Sequence, residues 1–173
     1  MSDAATASAD GRSRNLILAA TISASAMAFI DGTVVNVALP AIQRGLNASL
    51  ADLQWVSNGY LLMLGALILV GGGLGDRIGR RRVFIGGIVL FTIASVLCAL
   101  SPSVTFLIAA RVVQGIGAAL LIPQSLAIIS ATFPKSVRGK AIGTWAAASS
   151  ITTAFGPVLG GFLVDSLSWR FAF

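Results

Sequence analysis

The sequence has no histidine, one cysteine, six acidic residues and one tyrosine in 173 positions. Each shortage removes a class of chemistry. Without histidine, and with Cys98 alone inside an apolar run, no disulfide framework or Cys/His metal site can be assembled. Cys98 reads as a small packing residue. No nucleophile–base pair and no phosphate-binding loop is present, so nothing supports catalysis, and no cofactor is expected. Charged residues make up only 10% of the chain, against about 25% in a soluble domain. A chain that is 56% hydrophobic cannot hide its apolar surface in a core of its own, so its solvent is lipid. The net charge of +6 could suit a nucleic acid, but no basic face interleaved with aromatics exists. Nucleic acid is therefore excluded as a partner.

What is present is five long apolar runs. A hydrocarbon core of about 30 Å needs roughly 20 residues of helix. Runs of that order cover about residues 15–39, 53–74, 83–100, 104–131 and 141–163. Helix is the state that satisfies backbone hydrogen bonds internally in lipid, and the alternation of a membrane barrel is absent. The expected fold is an all-α membrane protein of five transmembrane helices. Residues 1–14 are Ser/Ala-rich and polar, and are expected as a disordered cytoplasmic tail rather than a cleaved signal.

Charge sets the expected orientation. Arg12 and Arg14 precede the first run, Arg77 to Arg82 follow the second, and Lys135, Arg138 and Lys140 follow the fourth. The other side carries only Arg44 and Arg170. Lys and Arg near span ends are retained inside, so the N terminus is expected in the cytoplasm of a multi-pass inner-membrane protein.

Two charges lie within the runs. A charged side chain at mid-bilayer costs about 2.5–3.5 kcal/mol on insertion scales, and such residues usually face a cavity and serve function. Asp31 is in the first run, where it can line a cavity or cap near a helix end. Arg111 is in the fourth, sharing a helical face with Gln114, Gly115 and Ala118. Asp31 is the candidate partner of Arg111, as a functional or a structural ion pair. Asn36 and Thr33 are candidate polar lining groups, with an interhelical hydrogen bond as the other reading of Asn36. Trp55 and Tyr60 fit an interfacial aromatic belt. Pro123 is expected to kink its helix, and Gly156 with Gly160 makes a G-x-x-x-G contact surface.

Four stretches carry a resemblance. Gly72, Leu74, Asp76, Arg77, Gly79, Arg80 and Arg81 follow an order that resembles the loop between helices two and three of major facilitator superfamily transporters. Asp31-Gly-Thr-Val-Val-Asn-Val-Ala-Leu-Pro40 resembles the first-helix motif of the drug:proton antiporters, especially the branch with fourteen helices. Arg111-Val-Val-Gln-Gly-Ile-Gly117 resembles the fourth-helix motif. Gly143, Gly156, Pro157, Gly160 and Gly161 match the antiporter motif of efflux members, with Thr152 where the family usually has glycine.

The resemblance implies proton-coupled multidrug efflux, powered by the proton gradient. Asp31 would couple protons or meet a cationic substrate, Arg111 would assist proton transfer, and Tyr60 could join the cavity. The basic loop would gate the cytoplasmic side through charge pairs, besides contacting lipid headgroups. The implied partners are the bilayer, a small amphipathic substrate with cations among the candidates, and further C-terminal helices of the same transporter. Five spans are an odd count, and Trp169-Arg170 looks like the lead into another, so the chain is expected to be an N-terminal portion of an incomplete six-helix bundle. The alternative is a non-transporting truncated membrane protein or an interaction subunit.

Overall fold

The computed structural model describes residues 2–173, with side chains from residue 11 onward. Five helices run in order: α1 (Ser2–Leu46), α2 (Leu50–Ile78), α3 (Arg80–Ala99), α4 (Val104–Thr132) and α5 (Lys135–Ser166). A short 3-10 turn, Trp169–Ala172, follows. All five helices are long and apolar enough to cross a membrane.

The helices outrun the apolar stretches that mark them. Helix α5 begins at Lys135, six residues ahead of the run at 141, and α1 continues past Pro40 to Leu46. Hydropathy marks the part that suits lipid, whereas helical hydrogen bonding continues into water until a cap ends it. The segment expected as a disordered tail differs most: its backbone is helical from Ser2. Alanines at 4, 5, 7 and 9 have the highest helix propensity of any residue, and no proline or glycine interrupts them before Gly11.

The ends are set locally. Ser49 and Asp52 form a reciprocal capping box on α2, with the Ser49 hydroxyl accepting from the Asp52 amide at 3.2 Å and Asp52 accepting from the Ser49 amide at 2.9 Å. The Ser103 hydroxyl caps α4 by accepting from the Phe106 amide. One residue, Gly79, both ends α2 and opens α3 at φ +103°, a conformation that side-chain-bearing residues rarely adopt.

Helix α4 is the spine. Half of its apolar stretch is buried, against 11% for α2 and α5. Helices α2 and α3 both pack along α4, α5 packs along α1, and α1 crosses α4. Large apolar side chains such as Leu69, Leu100 and Val158 point outward, as lipid requires. Helix α4 passes Pro123 as one continuous helix to Thr132.

Glycines bring the spine close to its neighbours. A Cβ at Gly71 of α2 would land on the Ala119 carbonyl of α4, and one at Gly75 on the Gln124 side chain. Gln124 uses that space to donate to the Gly71 carbonyl at 2.8 Å. On α5, a Cβ at Gly156 would strike Thr33 and one at Gly160 would press on Val34, so the G-x-x-x-G pair is the α1–α5 contact. Gly71→Ala is expected to destabilise the bundle by about 1–3 kcal/mol, because the opposing atoms are backbone and cannot swing away. Gly73→Ala, with open space around it, is the control and should be neutral or slightly stabilising. Equal melting temperatures for the two variants in detergent would refute the close α2–α4 contact.

Candidate functional site

The two intramembrane charges meet. Asp31 on α1 and Arg111 on α4 form an ion pair at 2.5 Å, and both are buried, at 5% and 1% exposure. One Nη1 nitrogen of Arg111 donates to Asp31 Oδ2 and, at 2.7 Å, to Gln114 Oε1. Gln114 then donates from Nε2 to Asp31 Oδ1 and to the Ser95 hydroxyl on α3, both at 2.8 Å. Arg111 Nε donates to the Val56 carbonyl of α2 at 3.1 Å. Four helices thus supply one buried polar cluster.

The cluster is tightly specified. Each carboxylate oxygen of Asp31 receives a donor, one from an arginine and one from an amide. The Gln114 amide has a single workable orientation: its oxygen faces a guanidinium and its nitrogen faces a carboxylate. The Tyr60 ring lies over the Arg111 guanidinium at 4.3 Å, and its hydroxyl donates to the Ala28 carbonyl of α1 at 3.2 Å. A ring over a buried cation spreads charge that lipid cannot solvate.

Asp31 also borders a cavity of about 560 Å³ between α1, α3 and α5, lined by Met27, Ile30, Phe91, Phe162 and Phe173. The volume falls within the range of small-molecule sites, and most of the lining is apolar. On the other side of α1, Trp145 of α5 packs edge-on to Phe29 with centroids 6.3 Å apart. Its indole donates to Ser25, which donates to Ser125 at 2.9 Å, tying α5, α1 and α4 together.

The other sequence candidates separate. Asn36 is exposed on α1 and donates to the Gly32 carbonyl at 2.9 Å, while Ser57 of α2 donates to its oxygen at 3.5 Å. Thr33 bonds back to its own helix. Trp55 is 55% exposed, as a belt residue would be, but Tyr60 is 3% exposed and does not belong to a belt. Leu53, Val56 and Tyr60 share one buried face of α2, which carries Tyr60 inward.

In the basic loop, Asp76 pairs with Arg80 at 3.0 Å, and Arg80 also donates to the Ala127 carbonyl of α4. Both side chains of that pair are well exposed, so in water it contributes about 0.3–0.5 kcal/mol. Among the described residues Arg77 and Arg81 make no ion pair, and both are exposed; Gly72 borders Pro123 of α4. Of the antiporter set, Gly156 and Gly160 face α1, whereas Gly143 and Gly161 face open space and Pro157 is exposed. Thr152 donates to the Ala148 carbonyl of its own helix.

Ser95 and Ser57 were not singled out by the sequence. Both are small hydroxyl residues, and only the rotational setting of the helices brings Ser95 to the cluster and Ser57 to Asn36 beside it. A polar residue inside an apolar run was the available signal, but it is shared by many serines here.

The family model of the Major Facilitator Superfamily matches residues 21–173. The chain is 41% identical over 163 residues to a tetracenomycin C resistance and export protein of Streptomyces glaucescens, covering 94% of this chain and 30% of that one. It is 45% identical over 163 residues to the multidrug resistance protein Stp of Mycobacterium tuberculosis, with the same coverage. A methylenomycin A resistance protein of Streptomyces coelicolor is 43% identical over 148 residues, covering 85% of this chain and 31% of that one. The chain therefore spans about 30% of the length of these curated relatives. In structure it is similar to a bacterial homologue of the human lysosomal transporter Spinster, solved inward-facing and unoccupied. That similarity has a TM-score of 0.77 at 24% identity and covers 91% of this chain and 36% of the other. An all-helical bundle of five membrane-spanning helices, matched by the family model over residues 21–173, belongs to the major facilitator superfamily.

Proposed function

We propose that the chain is part of a drug:proton antiporter that exports small amphipathic molecules, cations among them, from the cytoplasm. The observation that carries this reading is the buried Asp31–Arg111–Gln114 cluster beside a largely apolar cavity. The relatives, named for antibiotic and multidrug resistance, supply the direction of transport.

The cluster links protonation to shape. Each carboxylate oxygen of Asp31 already faces a donor. A proton on Asp31 removes the charge opposite Arg111, and sets a hydroxyl against the Gln114 amide hydrogens if it sits on Oδ1 or against the Arg111 N–H if it sits on Oδ2. Gln114 cannot resolve this by turning over, because its amide hydrogens would then face the guanidinium. Taking up a proton therefore requires α1 and α4 to shift at their crossing. In this reading Asp31 is the coupling carboxylate and Arg111 holds it, with Gln114 transmitting its state to α3 through Ser95. Asn36 lines the approach. The loop of Gly72, Asp76, Arg77, Gly79, Arg80 and Arg81 gates the cytoplasmic side. Gly143, Gly156, Pro157, Gly160 and Gly161 let α5 ride closely on α1. We further place the N terminus in the cytoplasm and the protein in the inner membrane, and expect additional helices of the same transporter to complete the pathway.

The test uses the natural full-length product in cells loaded with a lipophilic cationic dye. Expression should lower dye retention, and collapsing the proton gradient should restore it. Single cysteines at Arg12 and Arg44 should react with an impermeant thiol reagent only from the inside and only from the outside, respectively. Equal dye retention with and without the protein would defeat the transport reading.

A further inference from the structure

Arg111 has more donors than the cluster uses. Its Nε bonds Val56, and Nη1 bonds Asp31 and Gln114. Among the described residues, no group accepts from Nη2, although Arg111 is 1% exposed. A guanidinium cannot shed its protons, and Nη2 is not among the fully enclosed atoms that lack a partner, so it reaches space a water can enter.

A second cavity, of about 20 Å³, lies against Arg111 and is bordered by Asn36 of α1 and by Ser57 and Tyr60 of α2. It clears the roughly 10–15 Å³ that one water needs. Its polarity also matches. Asn36 uses one of its two Nδ2 hydrogens on the Gly32 carbonyl, and Ser57 spends its hydroxyl proton on Asn36 Oδ1, which keeps a second lone pair. Both residues therefore offer oxygen lone pairs, while Arg111 offers N–H. A water can accept from Arg111 and donate to both oxygens, which makes three bonds, the usual number for a buried water. The ligand is neutral, because Asp31 already balances Arg111 and an anion would leave an unpaired charge in a low-dielectric site.

We propose that this cavity binds one ordered water bridging Arg111 to Asn36 and Ser57, and that the water keeps Arg111 hydrogen-bonded while Asp31 carries a proton. The second half rests on Asp31 being the coupling carboxylate; the water site does not. The titratable groups facing Asp31 among the described residues are Arg111 from α4, Tyr60 from α2 and, through Gln114, Cys98 from α3. Helix α5 brings none, and Arg170 of the 3-10 turn is engaged by the Ala99 carbonyl. When Asp31 is neutral, Arg111 keeps its charge and has lost its strongest partner, so the water matters more in that state.

The test compares wild type with Ser57→Val and Ser57→Thr in the natural full-length protein. The two variants have the same shape, so any effect of side-chain size is shared, and only threonine keeps the hydroxyl. A structure that resolves ordered waters should show one oxygen within hydrogen-bond distance of Arg111 Nη2 in wild type and Ser57→Thr, and none in Ser57→Val. Dye efflux should fall about tenfold in Ser57→Val, because the state in which Asp31 carries the proton loses a hydrogen-bond partner of Arg111. Ser57→Thr should keep the wild-type rate. No oxygen in wild type, or one efflux rate for both variants, overturns the proposal. Efflux that survives Asp31→Asn overturns the antiport reading instead, and leaves the water to be judged on the density.

Discussion

Arg111→Met is expected to remove most of the protein from the membrane fraction. The variant strips the charge partner from Asp31, which is 5% exposed, and also the donors to Val56 and Gln114. Breaking a buried pair by deleting one member costs about 3–5 kcal/mol, because the remaining charge stays without solvent or partner. That is a large fraction of the 5–15 kcal/mol that holds a typical domain folded. The informative companion is Asp31→Leu/Arg111→Met. Replacing a whole buried pair with apolar residues of similar volume is often neutral or stabilising. The double variant should recover yield and melting temperature but not transport. If Arg111→Met alone accumulates and melts like wild type, the pair is not buried as described.

Asp31→Asn should lower drug-driven proton movement to the level of vesicles without the protein, while the protein still accumulates. Size is conserved, yet the amide has one acceptor where the carboxylate has two. Its oxygen can face Arg111, which sets its NH₂ against the Gln114 NH₂. Turning Gln114 over moves the same conflict to Arg111. One hydrogen bond is lost in either arrangement, at about 1–3 kcal/mol. The measurement is pH quenching in inverted vesicles on addition of a lipophilic cation. An Asp31→Asn protein that still moves protons in response to drug would remove Asp31 from the coupling role.

The parts of the molecule that hydropathy and charge can express were legible from residues alone. Five spans follow from runs too apolar for water. Asp31 and Arg111 stood out because each is expensive in lipid, and the seam of Arg111, Gln114 and Gly115 came from helical spacing. Gly115 indeed lies against the Tyr60 backbone, and Gln114 completes the cluster. What periodicity could not express is how each helix is turned. Tyr60 sits near the start of a helix that buries little, so a belt position was the simplest reading, and only the setting of α2 on α4 carries it onto Arg111. Ser95 reaches Gln114 for the same reason. Helix ends lie outside the apolar runs because lipid matching and helical hydrogen bonding end at different residues. The extension of α5 to Lys135 and that of α1 to Ser2 lie beyond what a hydropathy window reads.

The Asp31–Arg111 pair also has a place in time. Its members are separated by 80 residues of chain. At about 5–20 residues per second, a ribosome needs roughly 4–16 s to make that interval. Helix α1 is therefore synthesised and delivered to the membrane with a carboxylate whose partner does not yet exist. For those seconds α1 carries the insertion cost of an unmatched acid, about 2.5–3.5 kcal/mol. Chains released before Arg111 is added keep that cost permanently, so nascent products ending between α1 and α4 should be the ones the cell's membrane proteases clear first.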